Sequence, residues 1–385
     1  MEYIAYTGTP SRYETLPRVI ISSTDCCSGK IGEKLGSPRN VSSNNAWKLE
    51  PGNENDDDTL HTSRCVYKYG EHGNFDRIKR EDDLVLDSNF ESGNLLKAFR
   101  LDHSKTVHHP IKFQEYNLYL HHDVHSKGHT QWFYYTCSNT SAGNVVKFNI
   151  VNFVKRASLF NHGMRPLVLS RKGENKWVRA GYDISYFPSK HRKGKKQLYT
   201  LTFTYKFLHS SDICLFAYGY PYTYTDLQEY LDNLQTRNAD KPFFRRNILC
   251  KTLAGNLCDV LTITEPTSSL DGLKRKLCVV ITARVHPGET NASWICKGII
   301  DFLTSDSTEA LTLRSLFVFK IIPMLNPDGV INGNYRTSMA GVDLNRRWNN
   351  PSSEFHPTIY NTKVMIKRLK KVIDVVTVCD IHGTS

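Results

Sequence analysis

The chain has 385 residues, enough for two or three domains. Its 39% hydrophobic and 23% charged residues exclude a wholly disordered chain, and no apolar run approaches the roughly 20 residues of a membrane-spanning helix. The net charge of +12 is uneven: residues 101–245 carry 20 Lys and Arg against 10 Asp and Glu, which favours an acidic partner such as nucleic acid, an anionic membrane or an acidic polypeptide tail.

Residues 1–83 read as a largely disordered tail. Ser37 to Ser63 is dense in Ser, Asn, Asp and Gly and holds few large apolar residues to offset the entropy of ordering. Met1 to Tyr6 lacks a basic region followed by an apolar stretch, so no secretory signal is expected. The ten cysteines have no framework spacing and are read as reduced core thiols of a cytosolic protein, with Cys26-Cys27 open to a metal or lipid reading.

Residues 84–245 read as an antiparallel β-sandwich with a tyrosine-rich junction. Tyr116–Leu120, Trp132–Tyr135, Val145–Phe153 and Leu198–Phe207 are short runs of β-branched and aromatic residues, several alternating with polar ones, separated by turn clusters. Lys190 to Lys196 is the densest basic run; a solvated hairpin tip accounts for it as well as a binding patch does. Phe216 to Thr225 contains four tyrosines, fit for interdomain packing or for a cleft wall. A helix is predicted over Asp226–Gln235, capped by Thr225 or Asp226.

From residue 246 the pattern alternates strands and helices. Asp259–Thr264, Leu277–Thr282, Leu316–Ile322 and Val372–Ile381 read as strands; Asn291–Leu303 and Thr358–Lys371 read as amphipathic helices. That alternation predicts an α/β fold with its sheet covered on both faces, and the apolar run Val372–Ile381 is expected to be buried on both.

Two motifs carry chemistry. His286-Pro287-Gly288-Glu289 follows one strand, and Asp380-Ile381-His382 closes another. Two histidines and a glutamate suit a catalytic zinc, and the ends of strands are where α/β sheets place function. The four-residue turn alone is weak evidence; the second histidine at a strand end strengthens it. Between them lie Asn326-Pro327-Asp328-Gly329, running on to Arg336, and Asp343-Leu344-Asn345-Arg346. Both contain turn chemistry, and both carry arginines suited to a carboxylate or a developing oxyanion.

These four motifs, with Phe90-Glu91-Ser92-Gly93, Gln131-Trp132-Phe133-Tyr134 and Phe216 to Tyr224, resemble the cytosolic carboxypeptidases, the tubulin-deglutamylase branch of the zinc metallocarboxypeptidases. The resemblance covers roughly residues 85–385. It implies an α/β zinc carboxypeptidase domain, a central mixed sheet with helices on both faces, preceded by the antiparallel β-sandwich. It implies one Zn2+ per chain held by His286, Glu289 and His382. Arg336 would stabilise the carbonyl and oxyanion, and Asn345 and Arg346 would bind the substrate carboxylate. The family's general-base glutamate and capping tyrosine would lie beyond Ser385, so residues 246–385 are read as the first part of that domain and the chain as C-terminally truncated and inactive. A non-catalytic binding module is the alternative. Acidic tails, tubulin among them, are the implied partners; neither nucleic acid nor membrane is expected. A monomer is expected, in the cytoplasm and near microtubules or cilia.

Overall fold

A computed structural model describes residues 61–70, 80–103, 113–126, 128–194 and 196–383. The expectations for residues 1–60, Cys26-Cys27 included, lie outside them.

The first unit contains β1 (His61–Lys68), β2 (Val85–Asp87), β3 (Leu95–His103), β4 (Gln114–Leu120), β5 (Tyr134–Ser138), β6 (Val145–Phe153), β7 (Leu167–Ser170), β8 (Trp177–Arg179), β9 (Tyr182–Lys193), β10 (Lys196–Lys206) and β11 (Cys214–Ala217). They form a six-stranded sheet, β1-β3-β4-β6-β10-β9, and a five-stranded one, β2-β5-β11-β7-β8. Pairing is antiparallel except between β4 and β6, which run parallel. Inward residues of both sheets share one core, where Tyr135 and Phe216 of one sheet meet Phe148 of the other. This is the expected sandwich. The basic run at Lys190 occupies the β9–β10 turn, with Gly194 in the left-handed region (φ 58°).

β1 lies inside the stretch expected to be disordered. Residues Arg64–Tyr67 supply what composition hid. Val66 and Tyr67 pack against the core, and the Arg64 guanidinium forks onto Asp83 at 2.6 and 2.8 Å. Arg100 on β3 binds the same carboxylate at 2.5 Å. Burial works to raise the Asp83 pKa, but the two guanidiniums outweigh it and hold it at about 2. A depressed carboxylate stabilises the fold above its unfolded pKa, and the benefit is lost as pH falls through the folded value. Asp83→Asn is therefore expected to cost about 2 kcal/mol at pH 7. In urea unfolding, the gap from the parent should shrink between about pH 4 and about pH 2.

The second unit contains α1 (Tyr224–Arg237), β12 (Phe244–Lys251), β13 (Leu257–Ile263), α2 (Leu270–Lys274), β14 (Leu277–Ala283), α3 (Thr290–Leu303), α4 (Thr308–Leu316), β15 (Phe317–Ile322), α5 (Pro327–Ile331), α6 (Pro357–Leu369) and β16 (Asp374–Ile381). Its sheet order is β12-β13-β15-β14-β16, antiparallel through β15 and parallel from β15 to β16, the expected mixed sheet. Alternation assigns the faces. Leu261, Ile281, Phe319 and Ile321 pack with α1 and α3, whereas Cys278, Val280 and Val318 pack with α2 and α6. α1 starts earlier than predicted, because Thr223 and Asp226 form a reciprocal capping box. It lies wholly before the predicted boundary at 245, yet it puts Leu227, Leu231 and Leu234 into the second core.

β16 differs from the expectation of burial on both faces. It is an edge strand, paired on one side with β14, and Val376 and Val378 are about half exposed (44% and 51%). Val375 packs toward α6 and Ile381 toward α3, while Val376 and Val378 stay open.

Candidate metal centre

The site forms where β14 and β16, adjacent and parallel, reach their C-terminal ends. Arg284 follows β14 in the left-handed region (φ 57°), fully buried. Its guanidinium donates to the carbonyls of Pro287 and Tyr222 (2.8 and 3.0 Å) and to Ser293 Oγ (2.8 Å), so the cation grips the His286–Glu289 turn from beneath. Burial lowers its pKa to about 9. The turn then packs on Tyr335: Gly288 N–H donates to the Tyr335 carbonyl at 2.8 Å. Glu289 occupies the N-cap of α3 but makes no cap bond, because its side chain turns to the site. The partial positive end of the helix favours a carboxylate there.

His286, Glu289 and His382 present one ligand atom each, all within 4.8 Å of one another. Nδ1 of His286 lies 2.9 Å from Glu289 Oε1, and Nδ1 of His382 lies 3.0 Å from Oε2. The other ring nitrogens face carboxylates: His286 Nε2 with Asp343 Oδ1 at 3.1 Å, His382 Nε2 with Asp380 Oδ2 at 2.8 Å. A carboxylate at Nε2 fixes the proton there and leaves the Nδ1 lone pair facing inward. Two such lone pairs and a carboxylate converging on one point suit a cation, and the donor set suits zinc. Burial disfavours the charged form of His286, but bonds to Asp343 and Glu289 outweigh it and raise its pKa. For Glu289, burial is outweighed by His286, His382 and the Gly383 N–H, and its pKa is lowered.

Arg336 belongs to the same network. Its Nε and Nη2 reach Asp343 Oδ2 at 2.9 and 2.8 Å. Lys155, in the loop after β6, has its pKa lowered by burial and by the nearby Arg336 charge. Asn345 borders the centre, with Nδ2 3.3 Å from His382 Nε2, and its Oδ1 accepts from Trp348. Arg346 is not drawn into this network: it is exposed, and its guanidinium lies 3.4 Å from the Asn345 carbonyl. The roles of Asp343, Asp380 and Arg284 were missed from sequence. Asp380 carried a signal, since residues two apart on a strand share a face with the ligand.

A mixed sheet with helices on both faces, and two histidines with a glutamate at its strand ends, define a zinc carboxypeptidase-type chain. A zinc carboxypeptidase family model matches residues 227–368, and one for the cytosolic carboxypeptidase N-terminal domain matches residues 86–218. The chain belongs to the cytosolic carboxypeptidase family. It is 44% identical over 309 residues to cytosolic carboxypeptidase 3 of Bos taurus, covering 79% of this chain and 30% of the relative. With cytosolic carboxypeptidase 2 of Homo sapiens it shares 44% identity, covering 79% and 33%. It thus spans about a third of the length of these relatives. Among solved structures it is similar to a metallo-carboxypeptidase from Burkholderia cenocepacia, with TM-score 0.60, 25% identity, and coverage of 78% of this chain and 70% of that one. Among the described residues no helix is long and apolar enough to cross a membrane.

Proposed function

We propose that this chain is the zinc-binding part of a metallocarboxypeptidase that removes glutamates, C-terminal or side-chain-linked, from acidic protein tails such as those of tubulin in the cytoplasm. The observation that carries the reading is the convergence of His286, Glu289 and His382, with each Nε2 backed by a carboxylate. One zinc ion per chain would be held by those three residues. When bound, zinc supplies Lewis acidity and activates water for attack.

The chain's own residues do the rest. Asp343 and Asp380 orient the imidazoles with Nδ1 inward. Arg336 stabilises negative charge developing on the carbonyl oxygen. Asn345 and Arg346 receive the terminal carboxylate, Arg346 swinging inward from its exposed position. Lys155, Arg336 and the basic excess of residues 101–245 favour acidic sequence. Glu289, Asp343 and Asp380 are each committed to histidines, so none serves as general base, a role worth about 10²–10⁴-fold.

Residues 1–385 are therefore expected to bind one zinc and a glutamate-tailed peptide without turning it over. The test compares a peptide ending in free glutamate with its C-terminal amide by calorimetry. Preference for the free acid, reduced in Arg346→Ala at unchanged zinc content, supports the reading. Equal binding of both peptides would sink it, and glutamate release lost in His286→Ala would overturn the claim of inactivity.

A further inference from the structure

The loop after β4 reaches from the sandwich into the second unit. Val124 N–H donates to Asn334 Oδ1 (3.1 Å), and His125 Nδ1 lies 2.6 Å from the Met339 carbonyl. Just before them Asp123, 4% exposed, enters the turn that carries Arg336. Its Oδ1 accepts the Tyr335 N–H at 2.6 Å. Its Oδ2 accepts the N–H groups of Arg336 and Thr337, both at 2.7 Å, and the Thr337 hydroxyl at 3.1 Å. Three consecutive amides aimed at one carboxylate form an anion nest. Burial pushes the Asp123 carboxyl above its ordinary value, opposed by these amides.

The nest is joined to the metal centre by two routes. Tyr335 donates its N–H to Asp123 and accepts Gly288 N–H at its carbonyl, so Asp123 is one residue removed from the His286–Glu289 turn. Arg336, the middle residue of the nest, binds Asp343, which binds His286 Nε2. A contact that only docked two units would need neither a buried carboxylate nor this address.

We propose that Asp123 is a positioning residue for the metal centre. From the sandwich it fixes the Tyr335–Thr337 backbone, and through it the Arg336–Asp343 pair and the turn that carries two ligands. The inference rests on the reading that His286, Glu289 and His382 hold the metal. On it, the sandwich completes the site.

The test uses the 385-residue chain with Co2+, whose visible spectrum reports ligand geometry. Asp123→Asn is expected to weaken Co2+ by about tenfold, the lower end for groups that orient a ligand, and to shift the band. Exchange of the 335–337 amides should accelerate while β14 and β15 stay protected. Combined with Arg336→Gln, the loss should be smaller than the product of the single losses, because the two residues act in one line. Parent affinity and spectrum in Asp123→Asn would overturn the inference, as would losses that multiply in full. Should Asp123→Asn not fold, Thr337→Val deletes the hydroxyl contact alone; a smaller loss is expected, and parent affinity there overturns the idea. A parent chain that takes up no Co2+ fails the metal reading itself and this inference with it, whereas parent binding with an unaltered variant fails this inference alone.

Discussion

Replacing His286 by alanine is expected to abolish stoichiometric zinc binding, with affinity lower by at least about 100-fold. The estimate follows from the order of the groups. Outer partners of metal ligands are worth about 10–100-fold, so Asp343→Asn should fall in that range and a direct ligand should exceed it. Both histidines are held at both nitrogens, and His286, 4% exposed, is the more deeply buried. Chelator competition measures both variants. A His286→Ala chain that keeps one zinc at parent affinity would place the metal elsewhere. Far-ultraviolet circular dichroism separates loss of the ligand from loss of the fold.

Gly288→Ala is expected to cost about 2–3 kcal/mol and to weaken metal binding with it. A Cβ at this position would stand 2.5 Å from Tyr335 Cδ2 and 2.9 Å from the Tyr335 carbonyl oxygen. The ring can rotate away; the carbonyl cannot, because it accepts the Gly288 N–H while the Arg336 N–H of the same peptide unit is held by Asp123. The turn must therefore lift off, carrying His286 and Glu289 with it. Urea unfolding and Co2+ titration read the two effects, and an unchanged midpoint would mean that the turn has slack.

The sequence showed most clearly what is local. β6 has the bounds that its alternation predicts, and α3 buries Ala292, Cys296 and Ile300 as its spacing requires. The ligand turn was legible because Pro287 and Gly288 leave few other readings. Asn326-Pro327-Asp328-Gly329 reads as a turn yet forms α5, since the Asn326 side chain caps Gly329 N–H and Pro327 suits the first helical position. β1 was obscured because four useful residues sit among polar ones and gain their partners from β3 and Asp83. Asp123 carried no signal: the residues it holds lie 212 to 214 positions later, and no periodicity spans that distance. β16 was read as a strand, but its exposure depends on its neighbours in the sheet, which an apolar run does not encode.

The place of the centre on β14 and β16 also sets when it can exist. Thr282 and Asp380 are 98 residues apart and meet only when β16 docks, at which point the Thr282 hydroxyl bonds the carboxylate that orients His382. Closing so long a loop is slow relative to forming hairpins such as β9–β10. His286 and Glu289, by contrast, are three residues apart and come together with their turn. During refolding the metal therefore meets a two-ligand half-site first, and capture by three ligands marks the arrival of β16.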